Sequence, residues 1–427
     1  MMLKTNEIAK MDGKEATVRG WVYRQRILGD NVFIVVRDAW GIVQCVIKKG
    51  AVDEKMYNEA ANLYIESSVI ITGAVKKDER APGGAEIKAS KLETVSRGEF
   101  YPIQKDLSEE YLLNVRHLWL RSRKMVAIMQ ARHHIMNYLR EWLNSKDFFE
   151  ITPPILTKAG AEGGAEMFEL EYFGDTASLT QSSQLYGEAM IFGLERVYTF
   201  APSFRAEKSR TKRHLTEFWH LEPEMAWTNQ AQNEEIQEQM ISYVAQKMAE
   251  SHKGLLEAAG QNPETMKNVK PPFHRIMYDD AVDKINELGG KMEHGQDPGA
   301  DEEALLLTVY DKPVFVKNYP TEIKAFYMKE DPDRPGTVLN ADLLAPTVGE
   351  IIGGSEREWD YDKLIARMKA QNMPLKTYEW YSDLRKYGSV PHSGFGLGIE
   401  RFVKYILKLD HIRDAIPFPR TINRLEP

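Results

Sequence analysis

The chain predicts an α+β fold in two domains, on three observations. Its 427 residues exceed what a single core commonly holds. Residues 16 to about 100 are short segments rich in β-branched residues, broken by Gly, Asp and Pro. Beyond Trp119 a long helical stretch leads into a run of mostly antiparallel strand segments with helices beside them. The composition shifts after Tyr101-Pro102, so the boundaries read 1–102 for a strand-rich domain, 103–118 for a connecting segment and 119–427 for a larger domain.

The elements follow in order. ATVRGWVYR, NVFIVVRDAWGIVQCVIKK, SSVIITGAVKK and AEIKASKLETV supply about five strands, enough for a small Greek-key barrel or sandwich. From Trp119, Met125, Ile128, Met129, Ile135, Met136, Leu139, Trp142 and Leu143 recur at helical spacing and predict one amphipathic helix that stops before Phe148. Ile151 to Leu156 is extended, because Pro153 and Pro154 exclude a helix. Residues 196–227 predict a long hairpin: RVYTFAPSFRAE, a polar tip, then HLTEFWHLEPEMAW. A polar helix is expected over about 229–260. VFVKNY, EIKAFYM and GTVLNADLL read as strands, DYDKLIARMKAQ as a helix, and SGFGLGIERFVKYILKL as strand, glycine turn and helix.

Charge narrows the function classes. Lys+Arg number 56 against 63 Asp+Glu, net −7, which argues against binding polyanions simply by being basic. Residues 1–102 hold 16 basic and 14 acidic side chains, net +2, and the remainder 40 and 49, net −9, so any basic surface is local. The single cysteine, Cys45, allows neither an intramolecular disulfide nor a cysteine-based zinc site, which fits a reducing, cytoplasmic compartment. No stretch approaches the ~18 apolar residues of a membrane span, and no signal core opens the chain, so no membrane association is expected.

Four constellations could carry chemistry. Strand alternation puts Arg205 and Glu207 on one face of FRAE, and His214, Phe218 and Glu222 on one face of the return strand. If the faces coincide, a cation, two carboxylates, an imidazole and a ring converge: Arg suits a phosphate, Phe stacks on a purine, Glu accepts from an exocyclic amine. A half-exposed sheet with solvated charges is the plain alternative. The tip Lys208, Arg210, Lys212, Arg213 could grip a nucleic-acid backbone or be a solvated turn. Gly394, Gly396 and Gly398 precede Arg401; neither a dinucleotide-binding βαβ unit nor a P-loop fits, so any ATP is held otherwise. Asp342 and Glu350 lie eight residues apart across a turn and could share Mg²⁺ bound mainly through phosphate oxygens, or be incidental acids of a strand pair. In the small domain, Phe33 and Gln44 with Arg26 nearby could hold an unpaired base, although Phe33 in NVFIVV also suits a core position; Cys45 points the other way.

In combination, Phe204-Arg-Ala-Glu207, Arg213-His-Leu-Thr-Glu217 and Gly394-Phe-Gly-Leu-Gly-Ile-Glu-Arg401, with the long helix leading to Pro154, resemble motifs 2, 3 and 1 of class II aminoacyl-tRNA synthetases. The strand-rich part resembles the OB-fold anticodon-binding domain of the aspartyl, asparaginyl and lysyl subgroup. Lys317 to Met328, Asp342-Leu-Leu-Ala-Pro346, Val348 to Ser355, Tyr387 to Gly394 and Ile416 to Thr421 look asparaginyl. So do Gly187, where aspartyl enzymes carry a lysine for the substrate carboxylate, Gly353, and Glu222, which would repel aspartate and accept from an amide.

The resemblance implies an OB-fold barrel plus a class II catalytic domain on an antiparallel sheet flanked by helices. The implied reaction is the joining of L-asparagine to tRNA(Asn) with ATP, through an adenylate, with Mg²⁺ and without zinc. Arg205, Glu350 and Arg401 would be catalytic; Arg205, Glu207, Arg213, His214, Phe218, Glu350, Gly398 and Arg401 would bind ATP; Asp342 and Glu350 would hold the metal. Glu162, Gln184 and Arg357 would bind the amino acid's ammonium and carboxylate, with Glu222 and Arg385 facing its side chain. Arg26, Phe33, Gln44 and Glu86 would read the anticodon, and the 125–156 helix and strand would build a homodimer. Three readings compete. A non-discriminating aspartyl enzyme is disfavoured by Gly187 and Glu222. An asparagine synthetase-like paralogue would be expected to lack the barrel, and a catalytically dead RNA-binding paralogue to have lost Arg205, Glu350 or Arg401.

Overall fold

The computed structural model describes residues 2–160, 167–208, 211 and 213–427. It divides into two compact units, Met1–Leu113 and Asn114–Pro427. In the smaller unit, β1 (Glu15–Leu28), β2 (Asn31–Arg37), β3 (Ile42–Lys48), β4 (Ser68–Lys77) and β5 (Ala85–Ser96) pair in the order β1-β2-β3-β5-β4, and β4 returns to β1, closing a five-stranded barrel. Alternate β-branched residues fill it: Val18, Val32, Ile34, Ile71 and Ile87 are buried beside Cys45. Burial pushes the Cys45 thiol well above its ordinary range, which suits an inert core residue. Helix α1 (Glu54–Ala61), absent from the sequence reading, fills the β3–β4 connection; Asp53 caps it by accepting the Met56 N–H at 2.8 Å.

The larger unit is built on eight strands: β6 (Phe149–Ile151), β7 (Arg196–Phe204), β8 (Glu217–Ala226), β9 (His274–Met277), β10 (Val314–Lys317), β11 (Asn340–Ala345), β12 (Gly349–Glu356) and β13 (His392–Gly398). Their order is β9-β10-β11-β12-β13-β8-β7-β6, antiparallel except for the outermost pair at each edge. Helix α2 (Arg123–Asn144) begins where Ser122 caps the Met125 N–H, and its stripe of Met125, Ile128, Ile135 and Leu139 is fully buried. It packs with α4 (Gln230–Ser251) and α7 (Ile399–Leu407) against Leu221, Leu343, Ile352 and Leu397 of the sheet. Those residues alternate with Glu222, Asp342, Gly353 and Gly396, which face a cavity on the other side of the sheet.

Several expectations change. Segment 103–118 is not simply a connection: it holds helices Glu109–Asn114 and Arg116–Trp119. Arg116 is 1% exposed and donates to the carbonyls of Arg413, Ile416 and Pro417 at 2.8–3.0 Å, anchoring this end in the larger unit. The long helix starts at Arg123 rather than Trp119. EIKAFYM is not a strand: a 3-10 turn covers Thr321–Ile323, and the far end of the segment meets Arg357 through an isolated bridge from Met328. The glycines of SGFGLG form no turn, since all three lie on β13, which runs directly into α7.

Candidate functional site

The cavity, of about 980 Å³, opens along the middle of the eight-stranded sheet. β7 and β8 supply its floor, in the register Ser203 opposite Phe218 and Thr199 opposite Glu222. Alternation brings Phe218, His220, Glu222 and Glu224 of β8 onto the cavity face. The β7–β8 ladder stops at Phe204 and Glu217, yet the Arg205 N–H still donates to the Thr216 carbonyl at 3.0 Å. Arg205, Glu207 and His214 therefore reach the cavity from beyond the paired strands rather than from within them. The Arg205 guanidinium lies 5.5 Å from the Phe218 ring centre. Arg213 pairs with Glu303 of α5 (Ala300–Leu306), and the same carboxylate accepts the Glu350 N–H at 2.8 Å. Lys208 is exposed, while Arg210, Lys212 and Glu162 lie outside the described residues.

The β11–β12 hairpin brings the two predicted metal-binding acids together. Asp342 pairs with Gly353, and a bulge at Leu343–Leu344 sets Leu344 opposite Glu350, turning Glu350 onto the face of Asp342. A Cβ at Gly353 would lie 3.2 Å from Glu350 Oε1 and 3.6 Å from Asp342 Oδ1, so both oxygens border the space the glycine leaves. Arg401 donates to Glu350 Oε2 at 2.8 Å and to its carbonyl at 2.9 Å; Lys324 holds Asp342 Oδ2 at 2.8 Å. Burial opposes the Glu350 charge, but Arg401, Lys324 and Arg205 outweigh it and hold its carboxyl down at about 2. Burial with Glu350 nearby pushes Asp342 up to about 7, against Lys324. His214 is depressed to about 4, by burial first and then by Arg401, Arg213 and Arg205. Among the described residues no three His, Cys, Asp or Glu side chains gather as a metal cluster.

At the other end lie Gln184, Glu222, Glu224 and Arg357. Glu222 accepts from the Ser182 and Ser183 hydroxyls and from the Ser183 N–H at 2.8 Å. Arg357 grips Glu224 with two donors at 2.5 and 3.2 Å, and gives a third to Ser355 Oγ at 2.8 Å. Gly187 leaves room here: a Cβ on it would meet Glu224 Cγ at 3.1 Å. The reading of Arg385 needs correction. It does not line the cavity; its side chain is wholly buried in α6 (Glu379–Lys386), donating to Glu188 at 2.6 Å and to the Glu358 carbonyl at 2.9 Å. The buried carboxylate beside it captures the guanidinium before it can reach the substrate space.

On the barrel, Arg26 and Phe33 are cross-strand partners, with the guanidinium 4.8 Å from the ring centre. Gln44 stands opposite Val35 and beside Glu86 of β5. Phe33 is half-buried and outside the apolar core, so the core reading does not hold. Phe33, Val35, Gln44 and Val46 share the face opposite Cys45.

Residues 108–422 match the family of tRNA synthetases class II (D, K and N). The chain belongs to that family. Residues 16–95 match an OB-fold nucleic acid binding domain, so the synthetase joins an OB-fold anticodon-binding domain to a class II domain. An asparagine–tRNA ligase from Thermococcus gammatolerans is 54% identical over 419 residues, 98% of this chain and 97% of its own. Asparaginyl-tRNA synthetase from Pyrococcus horikoshii, complexed with asparaginyl-adenylate, superposes with a TM-score of 0.97 at 50% identity, over 100% of this chain and 99% of that one. The Entamoeba histolytica asparaginyl-tRNA synthetase in complex with asparaginyl-adenylate gives 0.91 at 32% identity, over 100% of both. Among the described residues, no helix of the synthetase is long and apolar enough to cross a membrane.

Sequence reasoning missed four residues around the synthetase's cavity: Glu224, Glu303, Lys324 and Glu188. Glu224 was within reach, since it follows Glu222 at the two-residue period of one strand face. Glu303 and Lys324 carry no local signal, because the partners that give them meaning, Arg213 and Asp342, are 90 and 18 residues away.

Proposed function

We infer that the synthetase is an asparagine–tRNA ligase, which activates L-asparagine with ATP and passes it to the 3′ end of tRNA(Asn) in the cytoplasm. One observation carries this: likeness over the whole chain to an asparaginyl-tRNA synthetase complexed with asparaginyl-adenylate. The cavity has the two ends such an adenylate requires. Arg205, Arg213 and Arg401 gather at one end, with His214 between them. At the other, Arg357, which the resemblance put at the amino acid's carboxylate, stands instead beside Glu224 as a donor next to an acceptor, the complement of a carboxamide, and Glu222 adds an acceptor that would repel aspartate.

In this mechanism an asparagine carboxylate oxygen attacks the ATP α-phosphorus, and the bond to the outer phosphates breaks, releasing pyrophosphate. Arg205 meets the charge growing on the α-phosphate. Arg213 and His214 hold the outer phosphates, and Phe218 and Arg401 take the two faces of adenine, whose amine Glu207 reads; Gly398 lets the nucleotide approach the backbone at the start of α7. Gln184 accepts from the substrate ammonium. A ribose hydroxyl of the tRNA then attacks the adenylate carbonyl and AMP leaves. Mg²⁺ fits the space bordered by Asp342 and Glu350, two hard oxygen donors with room for phosphate oxygens; when bound, it would neutralise phosphate charge. On the barrel, Phe33 stacks on an anticodon base, with Arg26, Gln44 and Glu86 around it.

ATP–pyrophosphate exchange with asparagine against aspartate, followed by charging of tRNA(Asn), tests the assignment. Exchange that favours asparagine, with charging, is expected. Equal or greater exchange with aspartate refutes it, and exchange without charging points to an amide-forming paralogue. We also propose a homodimer through α2 and the segment after it, where Phe149, Ile155 and Leu156 are exposed and β6 is an edge strand. A monomer in sedimentation at micromolar concentration would refute that.

A further inference from the structure

Glu188 has no part in the mechanism above, yet it is 0% exposed and lies one turn beyond Gln184 in α3 (Gln184–Leu194). Its Oε1 accepts from Gln184 Nε2 at 3.0 Å and from the Tyr381 hydroxyl at 2.9 Å. Its Oε2 accepts from Arg385 Nη2 at 2.6 Å, and His392 Nε2 lies 2.9 Å from it. Burial opposes the charge, but Arg385 and His392 outweigh it and hold the carboxyl well below its usual range. A carboxylate can only accept, so the half of the Gln184 carboxamide turned towards it must be the NH₂. What Gln184 presents to the cavity is then its carbonyl oxygen.

We propose that Glu188 is a positioning residue for amino-acid recognition: it fixes the Gln184 carboxamide with its nitrogen inward and its Oε1 outward, so that the substrate's α-ammonium meets an acceptor. This rests on the reading that Gln184 binds the ammonium. An amide turned the other way would set an N–H against a cation. Arg385 locks the arrangement, because its guanidinium demands an acceptor at Oε2 and so keeps the carboxylate from rotating away. In Glu188→Gln the Arg385 donor claims the new amide's oxygen, its NH₂ falls beside Gln184, and the Gln184 amide is driven to flip.

The test compares L-asparagine with succinamate, which keeps the carboxamide and the carboxylate but lacks the ammonium, as ligands of the full-length enzyme. Their affinity ratio measures recognition of the ammonium alone. Glu188→Gln is expected to weaken asparagine by roughly tenfold and to leave succinamate within about twofold, with the KM for ATP unmoved. Parallel weakening of both ligands would mean a structural brace and would overturn the proposal. Gln184→Ala is the control. If it collapses the ratio while Glu188→Gln does not, Glu188 loses its role and the reading of Gln184 stands; if it leaves the ratio unchanged, that reading falls and the proposal with it. Should Glu188→Gln fail to fold, Glu188→Asp keeps the charge on Arg385 and draws back from Gln184, and the same ratio decides.

Discussion

A carboxylate stays ionised in this cavity only where a cation or a set of donors stands against it. Glu224 and Arg357 are 1% and 3% exposed and pair with each other, Arg357 working against the burial that pushes the Glu224 carboxyl up to about 8. Glu224→Ala would strand the guanidinium on Ser355 alone, and a broken buried pair costs about 3–5 kcal/mol. A lower denaturation midpoint is expected, together with loss of asparagine-dependent exchange; an unchanged midpoint would mean that water reaches Arg357. His214 gives a different reading. Burial and the cations Arg401, Arg213 and Arg205 depress it from 6.5 to about 4. Between those values the unfolded chain takes up a proton that the folded one refuses, so stability falls as pH drops through this window and is complete above it. Melting temperature against pH should therefore be flatter between 6.5 and 4 in His214→Gln than in the wild type.

At the scale of elements, β13 shows how a glycine strand makes a binding floor. A Cβ on Gly394 would fall 2.2 Å from the Glu224 carboxylate. Gly394→Ala should therefore push Glu224 off Arg357 and lower kcat/KM for asparagine by more than about tenfold, the effect of losing one charged hydrogen bond. Far-ultraviolet circular dichroism should be unchanged, since β13 accepts an alanine backbone; a variant with normal asparagine kinetics would mean that Glu224 is not held by this floor. The same strand marks the limit of legibility. The Gly394, Gly396, Gly398 spacing was visible in the sequence, but it read as a turn before the helix, because the carboxylate that needs the space, Glu224, sits on another strand. The β7–β8 hairpin was legible because strands of nine and ten residues repeat their alternation often enough to fix a face. The run EIKAFYM was too short for that, and a 3-10 turn takes its start. Arg385 was misplaced because Glu188, 197 residues away, decides where its guanidinium goes.

At the scale of the whole molecule, the net charge of −7 is a poor guide to partner, since it sums a near-neutral barrel and an acidic larger unit, several of whose carboxylates line the cavity. Binding of a polyanion must then rest on local features, and the barrel offers one in Phe33, half-exposed with Arg26 against it. Stacking of a base on an aromatic ring contributes about 1–3 kcal/mol, so Phe33→Ala should raise the KM for tRNA in charging roughly five- to hundredfold. ATP–pyrophosphate exchange with asparagine needs no tRNA and takes place in the other unit, so it should keep its wild-type rate. The residual tRNA affinity of Phe33→Ala should keep its salt dependence, because a ring neutralises no phosphate. A Phe33→Ala enzyme that charges tRNA with an unchanged KM would remove the anticodon from this face of the barrel and leave Gln44 and Glu86 as ordinary sheet residues.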